Sequence, residues 1–366
     1  MKPIFIIAEA GVNHNGDEDL AYKLVEIAHA AGADAVKFQT FKAKCSITVD
    51  AKQCDYQITN TKKIESQLDM VSRLELSYAA HHKLVAYCNE LGIEFLSTAF
   101  DSESLAFLVN DLKLKTLKIA SGEITNAPLV LEHARTGCNL IISTGMATLA
   151  DIEAVLGVVA FGYTMPHVTK PSMDAFQAAY YSEAGKQSLK QKVTLLHCTT
   201  EYPAPLEDIN LLAMDTMANA FHLPVGYSDH SEGILVPVAA AARGAVIIEK
   251  HFTLDKNMAG PDHKASLNPD ELSKMCAAIR ATEHALGDGI KGPRPSELKN
   301  KAIARKSLVA AIAIQVGEPF TAENLEIKRP GHGTSPYQYW ELQAKLATRN
   351  YKRDEVIDEN TMAGIG

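Results

Sequence analysis

Nowhere in the 366 residues do about eighteen apolar residues run unbroken, which excludes a conventional membrane-spanning helix. The opening MKPIFIIAEAG reaches Glu9 before an apolar stretch of signal-peptide length can form, so a cytoplasmic location without membrane contact is expected. Basic residues are the minority, 36 Lys and Arg against 44 Asp and Glu, and the formal net charge of -8 offers nucleic acid no attractive field. Basic and aromatic residues are nowhere interleaved as single strands require, and an anionic ligand would have to be met by local cations. The six cysteines, Cys45, Cys54, Cys88, Cys138, Cys198 and Cys276, show no paired metal-type spacing and read as free thiols. Cys198 lies among motif residues, but no partner marks it as a nucleophile. A glycine-rich dinucleotide turn is missing as well, which removes the commonest reason for an open doubly wound sheet.

What the sequence does have is a beat. After IFIIAE and DAVKFQ, the runs IEFLST, TLKIAS, NLIIST, VTLLHC, LPVGYS and AVIIEK each follow a helical or loop segment, about nine candidate strands if KPIFIIAE opens the series. Repeated β-α units predict a parallel sheet with both faces covered. About eight units in some 285 residues fit a (β/α)8 TIM barrel over residues 1–285. The beat stops at LGDGIKGPRPSELKNKAIARK, a Gly, Pro and charge cluster that marks a linker over 286–305. Residues 306–366, with SLVAAIAI, the turn VGEPFTAENL and EIKRPGHGTSP, form a small β-rich module. The stretch from Phe161 to Lys192 is long for a βα connection and is either a surface insertion or a partial helix with a lid or contact role.

Functional groups of such a barrel sit at the C-terminal strand ends, and here those ends are strongly polar. His230 and His251 close the runs PVGYSDH and VIIEKH, on the faces that also carry Ser228 and Glu249. Neutral imidazoles bind first-row metals, and two of them leave positions open for water or substrate; the other reading is two polar strand-end residues. Glu9 ends the first run, Lys37 and Gln39 share a face of the second, and Thr98, Lys118, Ser121 and Ser143 close the next three. A lysine in a parallel-strand pattern is costly to bury unless it meets an anion, and the turns SGE and STG add backbone donors. A phosphate or carboxylate ligand is the natural partner. Internal salt bridges to Glu9, Glu123 or Glu249 are the alternative.

The motifs AEAGVNHNG, GADAVKFQT, LSTAFD, KIASGE, STGMA, HCTTEYPAP, GYSDH, EKHFT, GPDHKAS and KRPGHG are individually weak, but their order resembles the sialic acid (nonulosonic acid) synthase family. RKSLVA and IKRPG are similar to that family's antifreeze-protein-like (SAF) domain, a name that refers to fold and implies no ice binding. The resemblance implies a carbon-carbon bond-forming transferase that condenses phosphoenolpyruvate with an open-chain acetamido sugar and releases phosphate. It implies a divalent metal on His230 and His251, manganese first, with magnesium or cobalt as alternatives. Lys37, Thr98, Lys118, Ser121, Ser143 and Ser228 match positions that hold phosphoenolpyruvate, and Asn13, Gln39, Thr200, Tyr202 and Asp262 match the sugar side. Glu9, and after it Glu249, takes the acid-base and cation-stabilising role. Arg329 matches an arginine that reaches a partner chain's active site, which implies a domain-swapped homodimer.

The chain resembles the N,N'-diacetyllegionaminate synthases most, through YQITNTKKIESQLDM, PVGYSDHSEG, IIEKHFTLDKNMAGPDHKASLNPDEL and RATEHALGDGI. That subgroup implies 2,4-diacetamido-2,4,6-trideoxymannose as the sugar. N-Acetylneuraminate synthesis from N-acetylmannosamine is the alternative, and a carbohydrate-binding barrel without turnover is the non-enzyme one. Thr200 stands where N-acetylneuraminate members usually carry asparagine, and His332 where asparagine is common. A related barrel acting on a sugar phosphate would need a second cationic cluster, which the sequence does not supply.

Overall fold

Eight parallel strands close into a barrel in chain order: β1 Phe5–Gly11, β2 Ala35–Thr40, β3 Glu94–Ala99, β4 Thr116–Ile119, β5 Asn139–Ser143, β6 Val193–Cys198, β7 Val225–Asp229 and β8 Ile247–His251. This is the architecture of a computed structural model that describes residues 3–343 and 345–358. The sequence count of about nine falls to eight because KPIFIIAE and IFIIAE are one strand. β1 pairs with both β2 and β8, so no edge remains open.

Alternation along the strands sorts residues to two sides. Inside, Ile7, Ala35, Leu96, Ile141, Leu196 and Ile247 form a compact apolar floor. Gly226 is required there, because a Cβ on it would meet Ile247 O at 2.5 Å and the Leu196 side chain at 2.7 Å. Two residues further along each strand, toward the C-terminal ends, the same face turns polar. Outside, Ile6, Ala8, Val36, Phe38, Ile119, Ile142 and Ile248 pack against the helices in the main core.

The helices form for local reasons that the sequence displays. Asp17 caps Glu18–Ala30 by accepting from the backbone N–H groups of Asp19 and Leu20, and Ala21, Leu24, Val25 and Ala28 give that helix one buried stripe. The connection from Thr40 to Tyr78 holds three short helices, Ala43–Ser46, Asp55–Thr61 and Gln67–Ser72. The long segment after β5 resolves into the helix Leu149–Thr164, which takes in Phe161, and two more, Met173–Tyr181 and Glu183–Lys192. Phe161 and Phe176 meet edge to face at 5.2 Å, so the added helix is clamped to its predecessor.

The chain divides into two compact units, Met1–Gly287 and Asp288–Gly366. The stretch read as a linker, 286–305, contains the helix Pro295–Ala304, which begins with proline at its first position. Beyond it, β9 Ser307–Ala310 and β10 Leu325–Lys328 pair antiparallel, and Leu308, Ile314, Phe320, Leu325, Tyr351 and Ile357 fill a separate small core. The end of the expected module, 359–366, lies outside the described residues. Among the described residues no helix is long and apolar enough to cross a membrane.

Candidate active site

Strand register builds the site. β1 sets Glu9 beside Lys37 of β2 and beside His251 of β8; β2 sets Gln39 beside Thr98 of β3; β3 sets Thr98 beside Lys118 of β4; and β7 sets Ser228 beside Glu249 of β8. His230 follows the last residue of β7. A cavity of about 350 Å³ opens over this ring, within the range for a small-molecule site. Its lining takes in Glu9, Lys37, Gln39, Thr98, Lys118, Ser121, Ser143, Thr200, Tyr202, Ser228, His230, Glu249, His251 and Asp262.

Two sequence-nominated residues lie elsewhere. Asn13 is fully buried beside the cavity without lining it, and its amide donates to Phe252 O at 2.8 Å and Ser266 Oγ at 2.9 Å. Ser266 in turn donates to Asp262 O at 2.7 Å, so Asn13 braces the turn that carries Asp262. Arg329 belongs to the second unit, is exposed, and donates from Nε to Ala304 O at 3.1 Å.

The charges form an asymmetric ladder. Lys37 Nζ lies 2.6 Å from Glu9 Oε2 and 3.6 Å from Glu249 Oε2, and donates to Thr98 Oγ1 at 3.2 Å. Lys118 Nζ lies 3.5 Å from Glu249 Oε1, which also accepts from Ser228 Oγ at 2.8 Å. The internal pairing weighed from the sequence is therefore present for Glu9 and Glu249, whereas Glu123 accepts from Asn126 instead. Burial raises Glu9 well above the usual carboxylate range, with Lys37 only partly opposing it and Glu249 adding to it. Burial also pushes Glu249 up, but Lys118 and Lys37 together outweigh it and hold this carboxylate below its ordinary value. Burial lowers Lys118, and Glu249 offsets this in part. The same wall thus offers one carboxyl that protonates readily and one that stays ionised.

The histidines are neutral. His230 Nδ1 lies 2.6 Å from Thr199 O, which can only accept, so the proton sits on Nδ1 and Nε2 presents a lone pair. Tyr202 donates its hydroxyl to that lone pair at 3.1 Å. Burial lowers His230 to about 4, and burial first, then the closeness of a second imidazole that disfavours protonating both, takes His251 well below 6.5. The two rings are 5.6 Å apart, and His251 Nδ1 is buried without a hydrogen-bond partner. No group of three or more His, Cys, Asp and Glu suited to a metal occurs among the described residues. Two neutral imidazoles, one of them pinned by a backbone carbonyl, fit a divalent ion whose other positions are filled by water or substrate oxygens.

Other buried polar atoms in or beside the cavity also lack hydrogen-bond partners, among them Ser143 Oγ, Thr200 Oγ1 and Asn13 Oδ1. A Cβ on Gly145 would come within 2.2 Å of Thr200 Oγ1, so this glycine makes room for Thr200. Asp262 is raised to about 6 by burial alone. The sequence reading missed the wall supplied by the Thr40-to-Tyr78 connection, from which Phe41, Tyr56, Gln57, Met70 and Leu74 line the cavity. Tyr56 packs on Tyr202 with ring centroids 5.1 Å apart. The length of that connection was the available signal, since long loops in compact domains usually carry function.

Known proteins match this arrangement. Residues 24–291 match the model of the NeuB family and residues 305–361 that of the SAF domain. The chain is 51% identical to N,N'-diacetyllegionaminic acid synthase of Campylobacter jejuni, covering 98% of this chain and 100% of that one. It is 46% identical to the protein of the same name in Legionella pneumophila, over 91% of this chain and 87% of that one. Among solved structures, N-acetylneuraminic acid synthetase of Leptospira borgpetersenii, crystallised with citrate, superposes with a TM-score of 0.65 at 31% identity, covering 82% of this chain and 90% of that one. With the family model spanning most of the barrel and nearly full-length relatives at this identity, the chain belongs to the NeuB family.

Proposed function

We propose that the chain is an N,N'-diacetyllegionaminate synthase, which condenses phosphoenolpyruvate with 2,4-diacetamido-2,4,6-trideoxymannose and water and releases phosphate. The observation that carries this reading is the polar ring on the inner barrel wall. It brings two lysines, several hydroxyls, two carboxyls of opposite protonation tendency and two neutral histidines into one cavity. The identity to the two legionaminic acid synthases supports the choice of product.

In this reading Lys37 and Lys118, with Thr98, Ser121, Ser143 and Ser228, hold the phosphate and carboxylate of phosphoenolpyruvate. Ser143 Oγ is a buried hydroxyl free to donate to it. Gln39, Thr200, Tyr202 and Asp262 meet the sugar, with Asn13 supporting Asp262 from behind. The enol carbon bonds to the aldehyde carbon of the sugar, and the aldehyde oxygen takes up a proton. The former enol C2 becomes electron-deficient, water adds there and loses a proton, and the C2–O bond to phosphate breaks to leave the ketone. Glu9, poised close to neutrality, exchanges the proton, and ionised Glu249 faces the developing cation. His230 and His251 would hold a divalent ion, manganese first and magnesium or cobalt as alternatives, which supplies Lewis-acid polarisation of the sugar carbonyl. Arg329 is read as reaching the cavity of a second copy in a homodimer, where its guanidinium suits an acyl or carboxylate oxygen.

The test is phosphate release from phosphoenolpyruvate with manganese and a sugar panel. The diacetamido trideoxy sugar should be turned over best and N-acetylmannosamine at least tenfold more slowly, the scale of one misplaced polar contact. Equal or better use of N-acetylmannosamine would move the chain to the neuraminate activity. No release with any acetamido sugar would overturn the enzymatic reading.

A further inference from the structure

Behind the two histidines, on the opposite face of the same strands, lies a buried ion pair that the reaction does not use. The register places Asp229 of β7 beside Lys250 of β8, one step from Ser228 and Glu249, so both side chains turn outward into the helix layer. Neither is exposed at all, and Lys250 Nζ lies 2.5 Å from Asp229 Oδ2. Elsewhere the outer face of the barrel is largely apolar. A pair of well-packed apolar residues would serve stability as well or better, so a charged pair at this depth calls for another reason.

The hydrogen bonds supply one. Asp229 Oδ1 accepts from Tyr227 OH and from the Ser231 backbone N–H, each at 3.1 Å, and Oδ2 accepts from Ser231 Oγ at 3.0 Å. Lys250 Nζ also donates to Ser231 O. The residues on both sides of His230 are therefore tied to the residue that precedes His251. His230 cannot swing away without breaking the turn from Asp229 to Ser231, and that turn is fastened to the neighbouring strand.

We infer that the Asp229–Lys250 pair, with Ser231, is a positioning device that fixes the separation of His230 and His251 and thereby sets the affinity for a divalent ion. This rests on the reading of those histidines as metal ligands. Asp229 and Lys250 touch no reactant; they act through the backbone that carries the ligands.

The test uses the full chain, stripped of metal, with manganese titrated alone in a calorimeter. Asp229→Asn combined with Lys250→Met removes both charges together, leaves no lone buried ion, and keeps an oxygen to accept from Tyr227 and Ser231. Ser231→Ala is the gentler variant, removing one hydroxyl and leaving the ion pair. Manganese affinity should fall about 10- to 100-fold in the double variant, the scale for lost ligand-orienting partners, and by less in Ser231→Ala. Phosphoenolpyruvate affinity without metal should change less than about twofold, since the pair faces away from the cavity. Parent-like manganese affinity in either folded variant overturns the inference and leaves the metal reading intact. No manganese binding by the parent chain sinks the metal reading and this inference with it.

Discussion

The barrel carries two buried charge clusters, an outward one between β7 and β8 and an inward one spread over β1, β2, β4 and β8, and the two differ in how completely they are satisfied. The outward cluster is closed: the Asp229 carboxylate has Lys250, Tyr227 and both donors of Ser231, and the lysine has a carboxylate and a carbonyl. The inward cluster is unfinished, with two lysines sharing two carboxyls unequally and with Ser143 Oγ, Thr200 Oγ1 and His251 Nδ1 buried without partners. Buried polar atoms are normally paired, so an unfinished cluster beside a cavity marks where a ligand completes the bonding. A complete one behind it marks architecture.

The largest test of that contrast is chemical. Glu9→Gln keeps the shape of the inward cluster and removes the carboxyl to which the proposed reaction assigns proton exchange, so turnover should drop about 100- to 10,000-fold. Calorimetric phosphoenolpyruvate affinity should hardly move, because Lys37 and Lys118 remain. Lost binding with normal turnover of the bound fraction would reassign Glu9 to the ligand pocket.

Stability should divide the clusters the other way. Lys250→Met strands an ionised carboxylate in the outward cluster and should cost about 3–5 kcal/mol in denaturant unfolding. Lys37→Met removes an equally buried lysine, yet Glu9 already leans toward its neutral form and Glu249 keeps Lys118. Its cost should stay near 1–2 kcal/mol, the scale of lost hydrogen bonds. Equal costs would erase the distinction.

Asp262 gives a pH-dependent version. Its folded value is raised from 3.8 to about 6, so between those values the native state holds a proton that the unfolded chain has released. The stability this contributes is full below pH 3.8 and lost as pH rises through 6, on the order of 2–3 kcal/mol at about 1.4 kcal/mol per unit. Asp262→Asn should flatten that part of the stability curve. An unchanged curve would show that Asp262 has a partner at the cavity wall.

Much of the inward cluster was legible in the sequence, because strand periodicity and the barrel rule together name the residues at strand ends. Glu9, Lys37, Thr98, Lys118, Ser143, Ser228, Glu249 and His251 all follow from that pair of ideas. The wall from Phe41 to Leu74 did not follow, since its residues lie on and around three short helices whose orientation no local pattern encodes. Asn13 was nominated by its motif, yet tertiary hydrogen bonds to Phe252 and Ser266 set its amide to bracing the Asp262 turn. The outward pair was invisible for another reason: periodicity puts Asp229 and Lys250 on the outer face, but only the register between two strands shows that they meet.

The smallest expected effect concerns which sugar completes the inward cluster. Thr200 lines the cavity with its hydroxyl buried and unpartnered, in space that Gly145 leaves for it. Thr200→Asn lengthens the side chain and adds two donors at a wall that now presents one hydroxyl. Such a change should favour a sugar with more hydroxyls over a deoxygenated one by about 10-fold in relative kcat/KM, or about 1.4 kcal/mol, with stability altered by less than that. The ratio of rates on N-acetylmannosamine and the diacetamido trideoxy sugar measures it directly. An unmoved ratio would mean that Thr200 completes its bonding with phosphoenolpyruvate or water, and that sugar choice lies in the Tyr56 wall instead.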